Sequence, residues 1–208
     1  NEVLPNLISA TICAGSNYTF PQIPGPGGVF NQSGVYSVTL PGAAVGGCDS
    51  LIILNLTVVP CNTTLDLKLF IEGYYTGGGM MTTALANQGV GMSTSDVDSV
   101  TVELHDAVSP FTTIASSKTM LYTDGSANVI FNTAYNGSYY IVIKLRNSIE
   151  TWSTIPVLIS SNTSYDFTTD MNKAYGNNQV EVESGIWAMY SGDLNADENV
   201  DLLDLGIL

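Results

Sequence analysis

Apolar and polar residues alternate one for one over three long stretches of this chain. Leu65, Leu67, Leu69 and Ile71 interleave with Asp66, Lys68, Phe70 and Glu72. Val100, Val102 and Leu104 do so with Ser99, Thr101, Glu103 and His105, and Tyr139, Ile141, Ile143 and Leu145 with Tyr140, Val142, Lys144 and Arg146. Successive side chains of a strand point to opposite faces, so a period of two predicts strands with one face on a core. Residues 118–123 and 127–131 flank Asp124-Gly125, a turn pair that predicts a hairpin. Further strands are predicted at 152–160, 165–169 and 180–183, with no convincing helix before residue 200. Antiparallel strands at this spacing predict an Ig-like two-layer sandwich over residues 61–190.

Four shorter strands are predicted ahead of it, at 7–13, 17–20, 34–40 and 51–59. Turn chemistry separates them at Gly25-Pro26-Gly27-Gly28 and Pro41-Gly42. Ile52, Leu54, Leu56 and Val58 share one face, while Asn55 and Thr57 lie on the other and tend toward solvent. The expected fold class is therefore all-β, with a small module at 1–60, the sandwich at 61–190 and a distinct tail at 191–208. Residues 76–94, with Gly77-Gly78-Gly79-Met80-Met81, predict a long flexible loop, ordered against a neighbouring chain if at all. No Lys-Ser/Thr and no helix start follow the glycines, so a phosphate cradle is not expected.

The tail changes the picture. Asp193, Asn195, Asp197, Asp201 and Asp204 fall at positions one, three, five, nine and twelve of a loop, with Val200 at eight. That spacing lets a short loop wrap a hard divalent cation with side-chain oxygens, and the carbonyl of Asn199 at position seven completes the set. The expected cofactor is Ca2+. Position six, where Gly normally makes the sharp turn, is Glu198.

Five Lys and Arg stand against 19 Asp and Glu in 208 residues, a net charge of −14. A nucleic-acid partner is not expected, because phosphate binding needs a concentrated cationic face. No apolar run reaches the ~20 residues of a membrane-spanning helix. The start, with neither an initiator Met nor a signal peptide, predicts a processed terminus or the edge of a fragment. Charged residues are 12% of the chain, and the polar remainder suits an extracellular protein. Cys13, Cys48 and Cys61 are an odd set: in an oxidising compartment one pair closes and one thiol is left over. Asn-X-Ser/Thr glycosylation signals occur at Asn17, Asn31, Asn55, Asn62, Asn136 and Asn162.

Two stretches resemble bacterial surface proteins exported by the type IX route. Thr11-Ile12-Cys13-Ala14-Gly15-Ser16-Asn17-Tyr18-Thr19-Phe20, with Ser33-Gly34-Val35-Tyr36 and the run from Cys48 to Val58, is similar to a Cys-containing repeat module of those proteins. The resemblance implies a Cys13–Cys48 disulfide and leaves Cys61 without an internal mate. The runs at 141–153 and 187–193 look like a region that precedes a dockerin-like calcium loop near the ends of such proteins. Dockerins carry two loops, each followed by a helix; one is present here. O-glycosylation in this class falls on Asp-Ser/Thr followed by a small or apolar residue, which Asp49-Ser50-Leu51 and Asp98-Ser99-Val100 match at Ser50 and Ser99.

Catalysis is not expected. His105 is the single histidine and is predicted to be a surface residue. Asp66, Glu72, Glu103 and Asp106 occupy predicted outward positions, where solvation explains them, and Asp96 and Asp98 are predicted to be solvated loop ends. Tyr74, Tyr75, Tyr139, Tyr140, Trp152 and Trp187 are candidates for a platform on which sugar rings stack. The leading expectation is a non-catalytic extracellular structural or adhesive protein at the cell surface, partnered by itself, by other surface proteins or by glycans. Its apolar segment at 3–10 would complete a neighbour's sheet and build a filament. The alternative is a carbohydrate-binding or dockerin-like accessory module of a secreted hydrolase.

Overall fold

The computed structural model describes residues 6–19, 28–42, 46–59, 61–91 and 93–207. The turn expected at Gly25-Pro26-Gly27, the first residues of the 3–10 segment, and Phe20, Pro60 and Leu208 lie outside them. The chain divides into two compact units, Asn1–Cys61 and Asn62–Leu208. Both are built from strands, so the all-β class holds. Among the described residues no helix is long and apolar enough to cross a membrane.

Unit one comprises β1 (Asn6–Cys13), β2 (Tyr18–Thr19), β3 (Val29–Phe30), β4 (Gly34–Leu40) and β5 (Ser50–Val59). β5 is central, with β4 antiparallel on one side and β1 parallel on the other. Registers Ile8↔Leu54 and Ala10↔Leu56 put the apolar positions of neighbouring strands on one face. Ile52, Leu54 and Leu56 are buried there, with Ile8, Ile12, Tyr18, Phe30, Tyr36 and Val58 packed against them. Asn55 and Thr57 are exposed.

The same pairing corrects the disulfide. Cys13 bonds Cys61, with Cα atoms 5.2 Å apart, and Cys48 is an exposed free thiol. Because β1 and β5 run parallel, Cys13 ends opposite Val59, two residues before Cys61. Cys48 precedes the other end of β5, and ten residues of strand span roughly 30 Å, far beyond disulfide reach. A parallel first strand is what the periodicity alone did not reveal.

Unit two comprises β6 (Thr63–Lys68), β7 (Tyr75–Gly77), β8 (Met80–Met81), α1 (Ala84–Asn87), β9 (Asp96–Asp106), β10 (Thr113–Tyr122), β11 (Ser126–Phe131) and β12 (Gly137–Leu145). It continues with β13 (Ser148–Trp152), β14 (Val157–Ile159), β15 (Asn162–Asp166), β16 (Val180–Glu183) and β17 (Ile186–Ala188). One sheet has the order β10-β9-β12-β13, with β14 also on β12; a second is β11-β6-β15, and β7-β8 and β16-β17 form two-stranded sheets. Leu65 and Leu67 of β6, Val129 and Phe131 of β11, Val100, Val102 and Leu104 of β9, and Ile141 and Ile143 of β12 share one buried core. These are the alternating positions of the sequence.

Two expectations about pairing are corrected. β15 runs parallel to β6, so this body is not wholly antiparallel. Nor do β10 and β11 form a hairpin: β10 pairs with β9, and β11 with β6. The Asp124-Gly125 turn instead carries the chain from one sheet to the other. Gly125 holds φ +84, and a Cβ there would stand 2.8 Å from the Leu69 carbonyl and 2.7 Å from the Phe70 ring. Glycine is the residue that permits so close an approach. Side-chain hydroxyls link the two strands, Ser117 Oγ donating to the Ile130 carbonyl at 2.8 Å and Thr119 Oγ1 to that of Asn128 at 2.6 Å.

The glycine-rich part of the 76–94 stretch, through Met81, is tied down within its own unit. β7 and β8 pair, and the Glu183 carboxylate accepts from the Tyr75 hydroxyl at 2.6 Å and the Gly78 amide at 2.8 Å.

Candidate functional site

The face of β9, β12 and β13 turned away from the shared core carries Glu103, His105, Tyr140, Val142, Lys144, Glu150 and Trp152. Register sets Tyr140 beside His105, and Val142 between Glu103 and Trp152. The alternation assigns this face correctly, but the face is covered. The β9–β10 connection lays Phe111 over it, and the short turn Tyr175–Asn177 brings Tyr175. His105, expected at the surface, is 7% exposed as a result.

Four rings meet there. Phe111 stands 5.8 Å from Tyr140 and 6.3 Å from Trp152, both nearly perpendicular. Tyr140 lies 5.7 Å from Trp152 and 6.5 Å from Tyr175. These are the edge-to-face separations that ring quadrupoles favour. Phe111, Tyr140, Trp152 and Tyr175 line a cavity of about 280 Å³. Phe111 holds a left-handed φ of 56°, a conformation that costs a bulky side chain roughly 1–2 kcal/mol. Strain of this kind persists where surrounding structure enforces it, and it gathers at ligand sites.

The enforcement is visible. His105 Nδ1 lies 2.9 Å from the Phe111 carbonyl, and Nε2 lies 2.8 Å from Glu103 Oε2 and 3.1 Å from Thr113 Oγ1. The His105 ring meets Trp152 edge-on at 4.6 Å. Lys144 bridges Glu103 at 3.1 Å and Glu150 at 3.0 Å, and Trp152 Nε1 donates to Glu150 at 2.5 Å. Burial pushes the Glu103 carboxyl up, but hydrogen bonds and charge from His105 and Lys144 outweigh it and hold it below its ordinary value. Burial pushes Lys144 down, and its two glutamates more than reverse that.

A second candidate lies at residues 193–204. Asp193 and Asp204, loop positions one and twelve, are both buried. Asp204 Oδ1 accepts from the amides of Leu194 at 2.7 Å and Asn195 at 3.2 Å, and Oδ2 from Asp201 at 2.8 Å, which closes the loop on itself. The Asp201 amide bond first, and then those of Leu194 and Asn195 against the push of burial, hold the Asp204 carboxyl below its usual range. Asp193 accepts from Asp197 and Glu198 amides at 3.2 and 3.0 Å, and Asn195 and Asp197 oxygens accept further amides inside the loop. Glu198 at position six holds φ 67°, the left-handed turn that Gly supplies in such loops. Asp197, Asn199 and Asp201 are exposed. Among the described residues the structure gathers no group of three or more His, Cys, Asp or Glu able to hold a metal. A short turn, Asp204–Gly206, follows the loop.

The remaining predicted residues are dispersed. Of six candidate aromatics, Tyr140 and Trp152 reach the pocket, whereas Tyr74, Tyr75 and Tyr139 pack on the core and Trp187 sits in β17. Asp96 and Asp98 are buried rather than solvated. Asp98 accepts from Arg146 Nη2 at 2.8 Å and the Tyr74 hydroxyl at 3.1 Å, so the fold uses it as an internal anchor. Asp66 is exposed and accepts from Asn128. Asn17, Asn31, Asn55, Asn62, Asn136 and Asn162 are exposed, and Ser50 and Ser99 half-buried. The sequence pattern missed Phe111 and Tyr175, which lie in connections with no periodicity.

No family model matches the chain, and no curated protein matches it.

Proposed function

We propose that this chain is a non-catalytic extracellular protein of structural and adhesive kind, whose contact with its target runs through the pocket of Phe111, Tyr140, Trp152 and Tyr175. The observation that carries the reading is the convergence of these rings from separate elements, with a strained Phe111 among them. Pockets lined by aromatic rings are binding surfaces, since each ring offers a large rigid contact area. On this reading the second unit is an Ig-like sandwich displayed at the cell surface, and the Cys13–Cys61 bond suits an oxidising compartment.

Calcium bracing of the tail belongs to the same proposal. Asp193, Asn195, Asp197, Asp201 and Asp204 would hold Ca2+ with the Asn199 carbonyl. The left-handed Glu198 and the two buried carboxylates, which make no ion pair among the described residues, fit that cation. Self-association by strand addition is the accompanying partner proposal. Among the described residues β1 is an edge strand, hydrogen-bonded on one side to β5, and edges template further pairing.

The test is retention of the purified protein on intact bacterial cells and on immobilised polysaccharide. Trp152→Ala is expected to abolish retention and Trp187→Ala to leave it; equal retention by both would refute the pocket as the contact. The second reading, a carbohydrate-binding accessory module, rests on the same rings. It predicts retention on the polysaccharide alone.

A further inference from the structure

We propose that the aromatic pocket takes a quaternary or methylated ammonium group. The proposal rests on the pocket being the binding site and names the chemistry of its ligand. Three observations carry it.

The first is the lining. Phe111, Tyr140, Trp152 and Tyr175 leave only two phenol hydroxyls as polar groups on the wall, because the Trp152 N–H is already given to Glu150. A sugar would find few hydrogen-bond partners on such a wall, which is open to solvent at Phe111 and Tyr175. A methylated ammonium has no hydroxyl to satisfy and presents an apolar shell around a positive centre.

The second is ring geometry. The rings stand at steep mutual angles, 60° to 90°. A flat pyranose needs an open, coplanar platform, whereas walls at right angles suit a rounded group. Ring faces carry negative electrostatic potential, and such cages are the common way aromatic side chains hold quaternary ammonium.

The third is charge. The chain carries −14, and no wall residue is cationic. Glu150 sits at the N–H edge of the Trp152 indole, with Glu103 behind it, and Lys144 is shared between the two carboxylates. Two carboxylates share one ammonium there, and the negative balance of these three groups favours a cation at the site.

The test is a titration of the intact protein with choline and with its neutral isostere 3,3-dimethylbutan-1-ol, followed by Trp152 emission in a Trp187→Phe background. Choline is expected to saturate the signal, with the isostere about 2- to 30-fold weaker, as a cation–π contribution of about 0.5–2 kcal/mol implies. Tyr175→Ala, at a residue 63% exposed, is expected to keep the fold and to weaken choline binding; Trp152→Ala, read in the Trp187-containing protein by the choline methyl signal, is expected to abolish it. Equal binding of both compounds, response to methyl glycosides alone, or no response would each overturn the cation reading. Adhesion that still depends on Trp152 would then keep the pocket as the contact and retire only its ligand.

Discussion

His105 and Phe111 are joined across the β9–β10 connection, the ring Nδ1 of one lying 2.9 Å from the carbonyl oxygen of the other. The contact fixes a residue whose φ of 56° is unfavourable for its side chain. It also couples the buried face of the sheet to the rim of the pocket. His105→Ala removes this bond and the one to Glu103. The expected cost is about 1–3 kcal/mol, from a lost partner to buried polar groups, together with weaker pocket binding. Urea denaturation and the ligand titration measure both. An unchanged midpoint would show that Phe111 is held by other means.

Glu103 sets the pH dependence of this network. Its carboxyl is held below its ordinary value in the folded protein, so its contribution is present above the unfolded value near ~4.3 and lost as pH falls through the lowered folded one. The melting-temperature gap between wild type and Glu103→Gln is expected to be steady near neutrality and to close below roughly pH 4. A gap that persists at acid pH would mean that the ion pair is not its source.

The disulfide gives a sharp contrast between cysteines. Cys13→Ser or Cys61→Ser opens a loop of sequence separation 48, for which the chain-entropy model gives about 4 kcal/mol. Cys48→Ser, at an exposed free thiol, is expected to stay within about 0.5 kcal/mol of wild type. Non-reducing peptide mapping should find Cys13 linked to Cys61 and Cys48 open to alkylation. A Cys13–Cys48 peptide would reverse the assignment.

Much of this was legible beforehand, and the misses share a cause. Alternation at Leu65–Leu67, Val100–Leu104 and Ile141–Ile143 identifies core faces because a strand's period is local. Pairing partners are non-local. Nothing within residues 7–13 says that β1 will lie parallel to β5, and that single fact moves the disulfide from Cys48 to Cys61. Asp124-Gly125 carries hairpin chemistry, yet Gly125 is spent on approaching Leu69 at a corner between sheets. His105 is expected in solvent as an outward strand position and Asp98 as a loop end; a covering connection buries the first, and the second lies inside β9, paired with Arg146. Phe111 and Tyr175 sit in irregular segments where sequence offers no face to assign.

For the tail, Glu198 offers a test that does not remove a ligand. Glu198→Gly relieves the left-handed strain at φ 67°, worth about 1 kcal/mol, and is expected to raise calcium affinity. Asp193→Ala is expected to abolish a calcium-dependent rise in melting temperature. If EDTA leaves the wild-type melt unchanged, the loop does not hold calcium.

Adhesion through the pocket is probed most directly by acrylamide quenching of Trp152 emission in the Trp187→Phe protein, free and bound to cells. The account predicts that Trp152, half-buried in the free protein, becomes shielded when the protein is retained on a surface. Retention with Trp152 quenched as readily as in solution would contradict it.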